Sequence, residues 1–168
     1  MSSIKKSPGA RTFGGDPAAY HAARPPYPPA LFAWLKSACA LGPETRCFEI
    51  GAGTGLATRP ILDLGVRSIF AIEPDANLAA FLCDHAGPSV TAAICRFEDA
   101  ALKPAAFDFG FAATSFHWVK RMKALEACLA ALKPGGWLAV WWGVYHDPTH
   151  PDPFDAATAH LFEGLEQS

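Results

Sequence analysis

No CxxC pair occurs among the five cysteines, Cys39, Cys47, Cys83, Cys95 and Cys128, and their number is odd. Each stands in apolar surroundings. The sequence therefore predicts buried free thiols in a reducing cytoplasm, not disulfides or a zinc site. There is no basic excess: the formal net charge is −2 with His neutral. That gives no footing for nucleic acid or for an anionic membrane surface. No uninterrupted apolar run reaches the ~18 residues of a membrane span. The opening MSSIKKSPGA holds two lysines but no apolar core, so it does not read as a secretory signal. Internal repeats and low-complexity tracts are missing too.

What is present is apolar and punctuated by glycine and proline. Of 168 residues, 51% are hydrophobic and 18% charged, enough to bury one core in one domain. Residues 1–15 read as a flexible tail. Residues 16–45 form a leader and a first helix. In the leader DPAAYHAARPPYPP, Pro25, Pro26, Pro28 and Pro29 argue against a helix, but Pro29 can open the next one, ALFAWLKSACAL. Residues 46–145 alternate strand and helix. RCFEI, RSIFAIEP, VTAAICRF, FDFGFAATSF and WLAVWWGVY read as strands. GLATRPILDLG, ANLAAFLCDHAG (with Asp75 as its cap) and VKRMKALEACLAALK read as helices, the last with apolar Met122, Leu125, Cys128, Leu129 and Leu132 and with LKPGG as its stop. Strands that are apolar throughout, alternating with helices, predict an α/β fold with a parallel sheet covered on both faces. Residues 146–168 read as a proline-rich loop and the start of a helix.

The stretch CFEIGAGTGLATRPIL turns the first strand into a helix through Gly51, Gly53 and Gly55. Such a turn aims free backbone N–H groups and a helix's positive end at a ligand. A dinucleotide loop would read GxGxxG; here the spacing is GxGxG, and Leu56 stands where the last glycine would be, free to pack the helix on the sheet. Glu73 lies 22 residues past Gly51, at the end of the second strand. An acid there suits a ribose diol, two carboxylate oxygens meeting two hydroxyls; otherwise it is a solvated strand-end charge. After the third strand, Phe97 with Glu98 or Asp99 suits an adenine, the acid accepting from its exocyclic amine. Glu49, just before the loop, suits an ammonium group, or is an acid paired inside the fold. No Lys-Ser or Lys-Thr follows the glycines as in a phosphate-binding loop. Together these features ask for S-adenosylmethionine rather than a dinucleotide.

With FEIGAGTG, AIEPD, RFEDA, FDFGFAATSFHWV and LKPGGWLAV in order, and YHAARPPYP ahead of them, the sequence resembles the class I S-adenosylmethionine-dependent methyltransferases. Within them it is similar to the small-molecule group of the ubiquinone/menaquinone and trans-aconitate methyltransferases. The resemblance implies a Rossmann-like, doubly wound sheet of order 3-2-1-4-5. It implies S-adenosylmethionine at the strands' carboxyl ends, leaving as S-adenosylhomocysteine. Glu49 and Gly51 are expected near the methionine moiety, Glu73 at the ribose, and Phe97 and Glu98 at the adenine, with Gly53, Gly55 and Thr114 also binding the cofactor. Thr114, Ser115, Phe116, His117 and Trp118 are expected to line the pocket, under a lid carrying Tyr20, Arg24 and Tyr27. Members of the group usually continue through two further strands. This sequence stops before them, so the expectation is a core whose last segment leads toward a missing C-terminal part.

For the chemistry, methyl transfer needs positioning more than acid–base help. His117 is the candidate general base, or else a hydrogen-bonded pocket wall beside Trp118. Trp142 and Tyr145 are expected nearest the acceptor. His146 and His150 in the proline loop are poor metal ligands by spacing, and no metal is expected. The strand-four end reads ATSF, without the proline pair common in enzymes that methylate nucleic-acid bases. A small-molecule acceptor and a cytoplasmic monomer or homodimer are therefore expected. The competing expectations are an S-adenosylmethionine-binding domain without catalysis and an NAD-dependent oxidoreductase, against which Leu56 speaks.

Overall fold

A computed structural model of the chain describes residues 13–143, 153–158 and 160. The apolar runs form five parallel strands: β1 (Arg46–Ile50), β2 (Ser68–Ile72), β3 (Val90–Ala93), β4 (Phe107–Ala113) and β5 (Leu132–Trp141). They lie in the order β3-β2-β1-β4-β5. The predicted order therefore stands, with β3 and β5 at the edges among the described residues.

Alternation along each strand divides the core in two. On one face Cys47, Ile69, Phe109 and Phe111 pack with Phe32 and Leu35 of α2 (Pro29–Ala38) and Ile61 of α3 (Thr58–Asp63). On the other, Phe48, Ile50, Ile72 and Ala112 pack with Ala124, Cys128 and Ala131 of α5 (Arg121–Ala131). Leu82 and Ala86 of α4 (Ala76–Ala86) pack on Ala52 and Ala71. A short α6 spans Pro153–Thr158. No helix among the described residues is long and apolar enough to cross a membrane.

Gly110 in β4 is needed by this packing. A Cβ there would overlap the Phe48 ring, and Phe48 is fully buried. Gly110→Ala is expected to cost about 1–3 kcal/mol by overpacking. That lowers the melting temperature by roughly 3–10 °C, which a circular-dichroism melt measures; an unchanged melt contradicts the packing described.

Several local expectations are corrected. The leader does hold a helix, α1 (Pro17–Ala23), placed before the prolines; Asp16 caps it by accepting from the Ala19 N–H at 2.9 Å. Gly14 is buried, and its carbonyl accepts from Asn77 Nδ2 at 2.9 Å, so Gly14, expected in the tail, belongs to the fold. The glycine turn runs to Ala57 before α3 begins. Leu56 is only half-buried and outside the core clusters, where Ala57 and Ile61 make the contact instead. β3 stops at Ala93, and Phe97 lies in a 3-10 helix, Phe97–Asp99.

The helix α5 faces the sheet with Ala124, Cys128 and Ala131, while Met122, Leu125 and Leu129 point outward at 68, 39 and 77% exposure. Both sets share one helical period. The small set lets the helix approach the strands closely. LKPGG is more than a stop: Leu132 already pairs with Phe107, and the next pair is Phe109 with Trp137, so the segment is a bulge inside the edge strand. Gly135, at φ +82°, makes that return. Among the cysteines, Cys47 and Cys128 are buried, and burial pushes the Cys128 thiol up to about 12. Cys83 is exposed, contrary to expectation, because it lies on the outer side of α4.

Candidate functional site

The carboxyl ends of β1 and β4 meet where the strand order reverses, the usual place for a ligand in an open parallel sheet. The glycine turn leaves β1 here. Its Gly51 and Ala52 N–H groups donate to the Ile72 carbonyl at 2.8 and 3.2 Å, which ties the turn to the end of β2. Gly51 has φ +66°, and a Cβ on it would sit 2.6 Å from Ser115 Cβ. Only glycine lets the end of β4 come that close. Ser115 uses the approach: its buried hydroxyl donates to the Ile50 carbonyl. Gly53 also has positive φ (+57°), with open space around it.

Two buried carboxyl groups flank the turn. Glu49 in β1 is 1% exposed, and Thr58 Oγ1 donates to its Oε2 at 2.6 Å. Burial raises its pKa to about 8, against the Thr58 bond and with a push from Glu73, so its surroundings hold it neutral at pH 7. Glu73 is 5% exposed just past β2. Its Oε2 accepts from the Gly53 N–H at 2.7 Å and its Oε1 from the Asp75 N–H at 2.9 Å. Burial raises its pKa while those two donors oppose the shift. A carboxylate oxygen has two lone pairs, so each oxygen retains one acceptor site. Asp75 is the cap of α4 as expected, its Oδ1 accepting from the Asn77 and Leu78 N–H groups at 2.9 and 3.2 Å.

Residues expected at the adenine are arranged differently from one another. Phe97 is buried in the core with Ile50, Ile72 and Phe116. Glu98 accepts from the Lys120 N–H at 3.1 Å and lies 3.4 Å from Arg96. Partial burial works against its charge, but the backbone donors and the Arg96 and Lys120 charges hold its carboxyl below the ordinary value. Asp99 is exposed.

The leader seats on this end of the sheet. The Tyr27 hydroxyl and Thr114 Oγ1 are 2.8 Å apart, and the Gly143 N–H donates to the same Oγ1 at 3.3 Å. Thr114 has φ +54°, a strained conformation for a β-branched residue. In α1, His21 Nδ1 lies 3.0 Å from the Thr54 hydroxyl of the glycine turn, and its ring tilts against Phe81 at 5.3 Å. Arg24 sits 5.2 Å from the centre of the Tyr20 ring. After β4, His117 and Trp118 are exposed, their rings 4.7 Å apart. The Trp142 indole N–H donates to His117 Nδ1 at 3.2 Å. Tyr145, His146 and His150 lie outside the described residues.

The structure thus gathers Glu49, Gly51, Gly53, Gly55 and Glu73 around one turn, with Thr114 and Ser115 opposite. Sequence reasoning did not single out Thr58 as the partner of Glu49, nor His21 and Thr54 as a contact between leader and turn. Asp16 followed by Pro17 is a helix-start signal; it would have revealed α1 and put His21 on it. A groove of about 590 Å³ lies at the opposite end of the strands, between Arg46, Arg67, Asp108 and Lys133. Its ion pairs, Arg67–Glu44 at 2.9 Å and Lys133–Asp108 at 2.7 Å, already match charge with charge.

The family described as "Methyltransferase domain" matches residues 48–140. An uncharacterized methyltransferase of Schizosaccharomyces pombe is 30% identical over 134 residues, 80% of this chain and 53% of that protein. One from Mycobacterium tuberculosis is 31% identical over 131 residues, 78% of this chain and 51% of its own length. This chain therefore spans about half the length of these relatives. Among solved structures, a "Putative Type II Methyltransferase" from Anaeromyxobacter dehalogenans superposes with a TM-score of 0.66 at 29% identity, covering 84% of this chain and 57% of the other.

Proposed function

Because the chain belongs to the methyltransferase-domain family, within the class I S-adenosylmethionine-dependent methyltransferases, we propose that it binds S-adenosylmethionine at the ends of β1 and β2. It passes the methyl group to a small-molecule acceptor brought in beside β4. The observation that carries this reading is Glu73. Its carboxylate is locked by two backbone donors, yet keeps one lone pair on each oxygen for a pair of adjacent hydroxyls. The ribose of S-adenosylmethionine supplies that pair.

Glu49 supports the same ligand. A buried, neutral acid gains its charge when an ammonium group arrives, and the methionine moiety carries one. Gly51 and Gly53 give the ligand room beside the backbone. Glu98 is assigned to the adenine through its outward carboxylate, whereas Phe97 acts by shaping the turn from inside the core. Thr114, with Tyr27 on one side and Gly143 on the other, joins the lid to the acceptor side; Tyr20 and Arg24 belong to that lid. Trp118 and Trp142 are assigned to the wall for the acceptor.

S-adenosylmethionine supplies an electrophilic methyl on a sulfonium whose departure needs no protonation. The chain's share is to hold the ribose and ammonium ends, to exclude water under the leader, and to align the acceptor, a contribution that reaches ~7–11 kcal/mol in well-oriented reactions. Calorimetric titration tests the reading. S-adenosylhomocysteine is expected to give binding heat and NAD none; heat with NAD alone sinks it. Turnover of S-adenosylmethionine with an acceptor separates an enzyme from a cofactor-binding domain.

A further inference from the structure

We propose that the leader is part of the cofactor site. Gly14 and His21 brace the two backbone arms that aim the Glu73 carboxylate, so that seating the leader and binding S-adenosylmethionine are one linked equilibrium. The proposal rests on the reading of Glu73 as the ribose acceptor given above.

Glu73 does not set its own direction. Its two oxygens are fixed by the Gly53 N–H at 2.7 Å and the Asp75 N–H at 2.9 Å. These donors stand on separate segments, the glycine turn and the N-terminal end of α4. The leader touches each segment at the donor. On the turn, Thr54 follows Gly53 and is 4% exposed; its hydroxyl lies 3.0 Å from His21 Nδ1. Either tautomer of His21 makes this bond, because a hydroxyl both donates and accepts. On α4, Gly14 packs so closely on Asp75 that a Cβ at Gly14 would overlap the carboxyl group. That group cannot retreat without loss, since it caps α4 through the Asn77 and Leu78 N–H groups. The Gly14 carbonyl accepts from Asn77 Nδ2 at 2.9 Å, and the His21 ring lies against Phe81 at 5.3 Å. The leader thus reaches from one arm to the other and closes a frame around the Glu73 carboxylate.

Such a frame acts in both directions. Gly53 has open space around it, so packing does little to hold the turn at that point and hydrogen bonds do most. His21 restrains the turn from the leader side; a diol on Glu73 restrains it from the other. The factor by which a seated leader tightens the cofactor is also the factor by which the cofactor tightens the leader. Gly14 and His21 are positioning residues in this scheme, and neither is assigned a contact with the cofactor.

The test uses the whole 168-residue chain with S-adenosylhomocysteine as the probe. Gly14→Ala and His21→Ala are each expected to raise its dissociation constant roughly 5–10-fold by calorimetry, within the usual range of coupling between sites. His21→Asn, whose amide falls near Nδ1, is expected to recover most of the affinity. Melting curves show that the variants fold. In the parent chain, saturating S-adenosylhomocysteine is expected to slow amide hydrogen exchange across α1 by about the factor that the double variant loses in affinity. Parent-like affinity in both single variants, no recovery in His21→Asn, or exchange in α1 indifferent to the probe overturns the proposal. Absence of binding heat in the parent chain overturns instead the reading on which it rests, so the two failures are distinguishable.

Discussion

Glu73→Ala weakens S-adenosylhomocysteine binding on the order of 100-fold, equivalent to losing two charge-assisted hydrogen bonds of about 1.5 kcal/mol each. The expectation follows from orientation as much as from charge. Gly53 and Asp75 donate to opposite oxygens of the carboxylate, which stops the group from rotating and fixes the directions of the remaining lone pairs. A diol meets an acceptor that is already aimed. Alanine removes the acceptor and also releases the Gly53 N–H, so the turn is left with only its Gly51 and Ala52 bonds to the Ile72 carbonyl. Glu73→Gln tells the two effects apart. It keeps one carbonyl oxygen but replaces the other by a donor that cannot face a backbone N–H, and a loss of roughly 10-fold is expected. Calorimetry on folded variants reads both. Unchanged affinity in Glu73→Ala would mean that the ribose is held elsewhere.

The second large effect concerns pH. Glu49 holds its proton to about 8 when folded, against an ordinary value of 4.5. Between those limits the folded chain binds more protons than the unfolded one, so stability falls as pH rises. The favourable contribution is complete below about 4.5 and gone above about 8. The span corresponds to a penalty on the order of 4 kcal/mol at alkaline pH. Glu49→Gln keeps the acceptor for the Thr58 hydroxyl and carries no charge. It is expected to flatten the pH dependence between 5 and 9 and to raise the melting temperature at pH 8.5, leaving the slope that Glu73 adds by the same mechanism. The variant should also bind S-adenosylhomocysteine more weakly, since its ammonium group loses the anion. Urea unfolding across the pH range measures the first effect. A slope equal to that of the parent chain contradicts it.

The two predictions draw on parts of the molecule that the sequence exposed to different degrees. Strand order came only through the family resemblance, whereas the glycine turn, Glu49 and Glu73 were legible because backbone constraint shows in residue type. A positive φ calls for glycine, and an acid at a strand end after such a turn is a recurring pair. The sheet-facing side of α5 was not legible. Ala124, Cys128 and Ala131 have the same period as Met122, Leu125 and Leu129, and hydrophobicity alone favours the larger set; only the distance between helix and strands decides. The prolines of the leader hid α1 in the same way, since four breakers in Pro25–Pro29 drew attention from Asp16 and Pro17 just ahead. Phe97 shows the limit of a spacing argument: the position after β3 was found, but whether the ring turns to a ligand or to the core depends on a 3-10 helix that spacing does not encode. The pairing of Trp142 with His117 joins the segments that follow β5 and β4, which only the folded sheet makes neighbours.

The distribution of indoles has an optical consequence. Trp34, Trp118, Trp137 and Trp142 are 48 to 64% exposed, so most of the chain's emission comes from rings in water. Trp141 differs: it stacks on Phe111 at 5.9 Å and meets the Tyr27 ring edge-on at 5.9 Å. Its emission belongs to the short-wavelength side and depends on Tyr27 staying in place. Leader and fluorophore are thereby joined, and the seating of residues 16–28 can be followed by light, without a label, against a background that Trp34→Phe and Trp137→Phe would reduce.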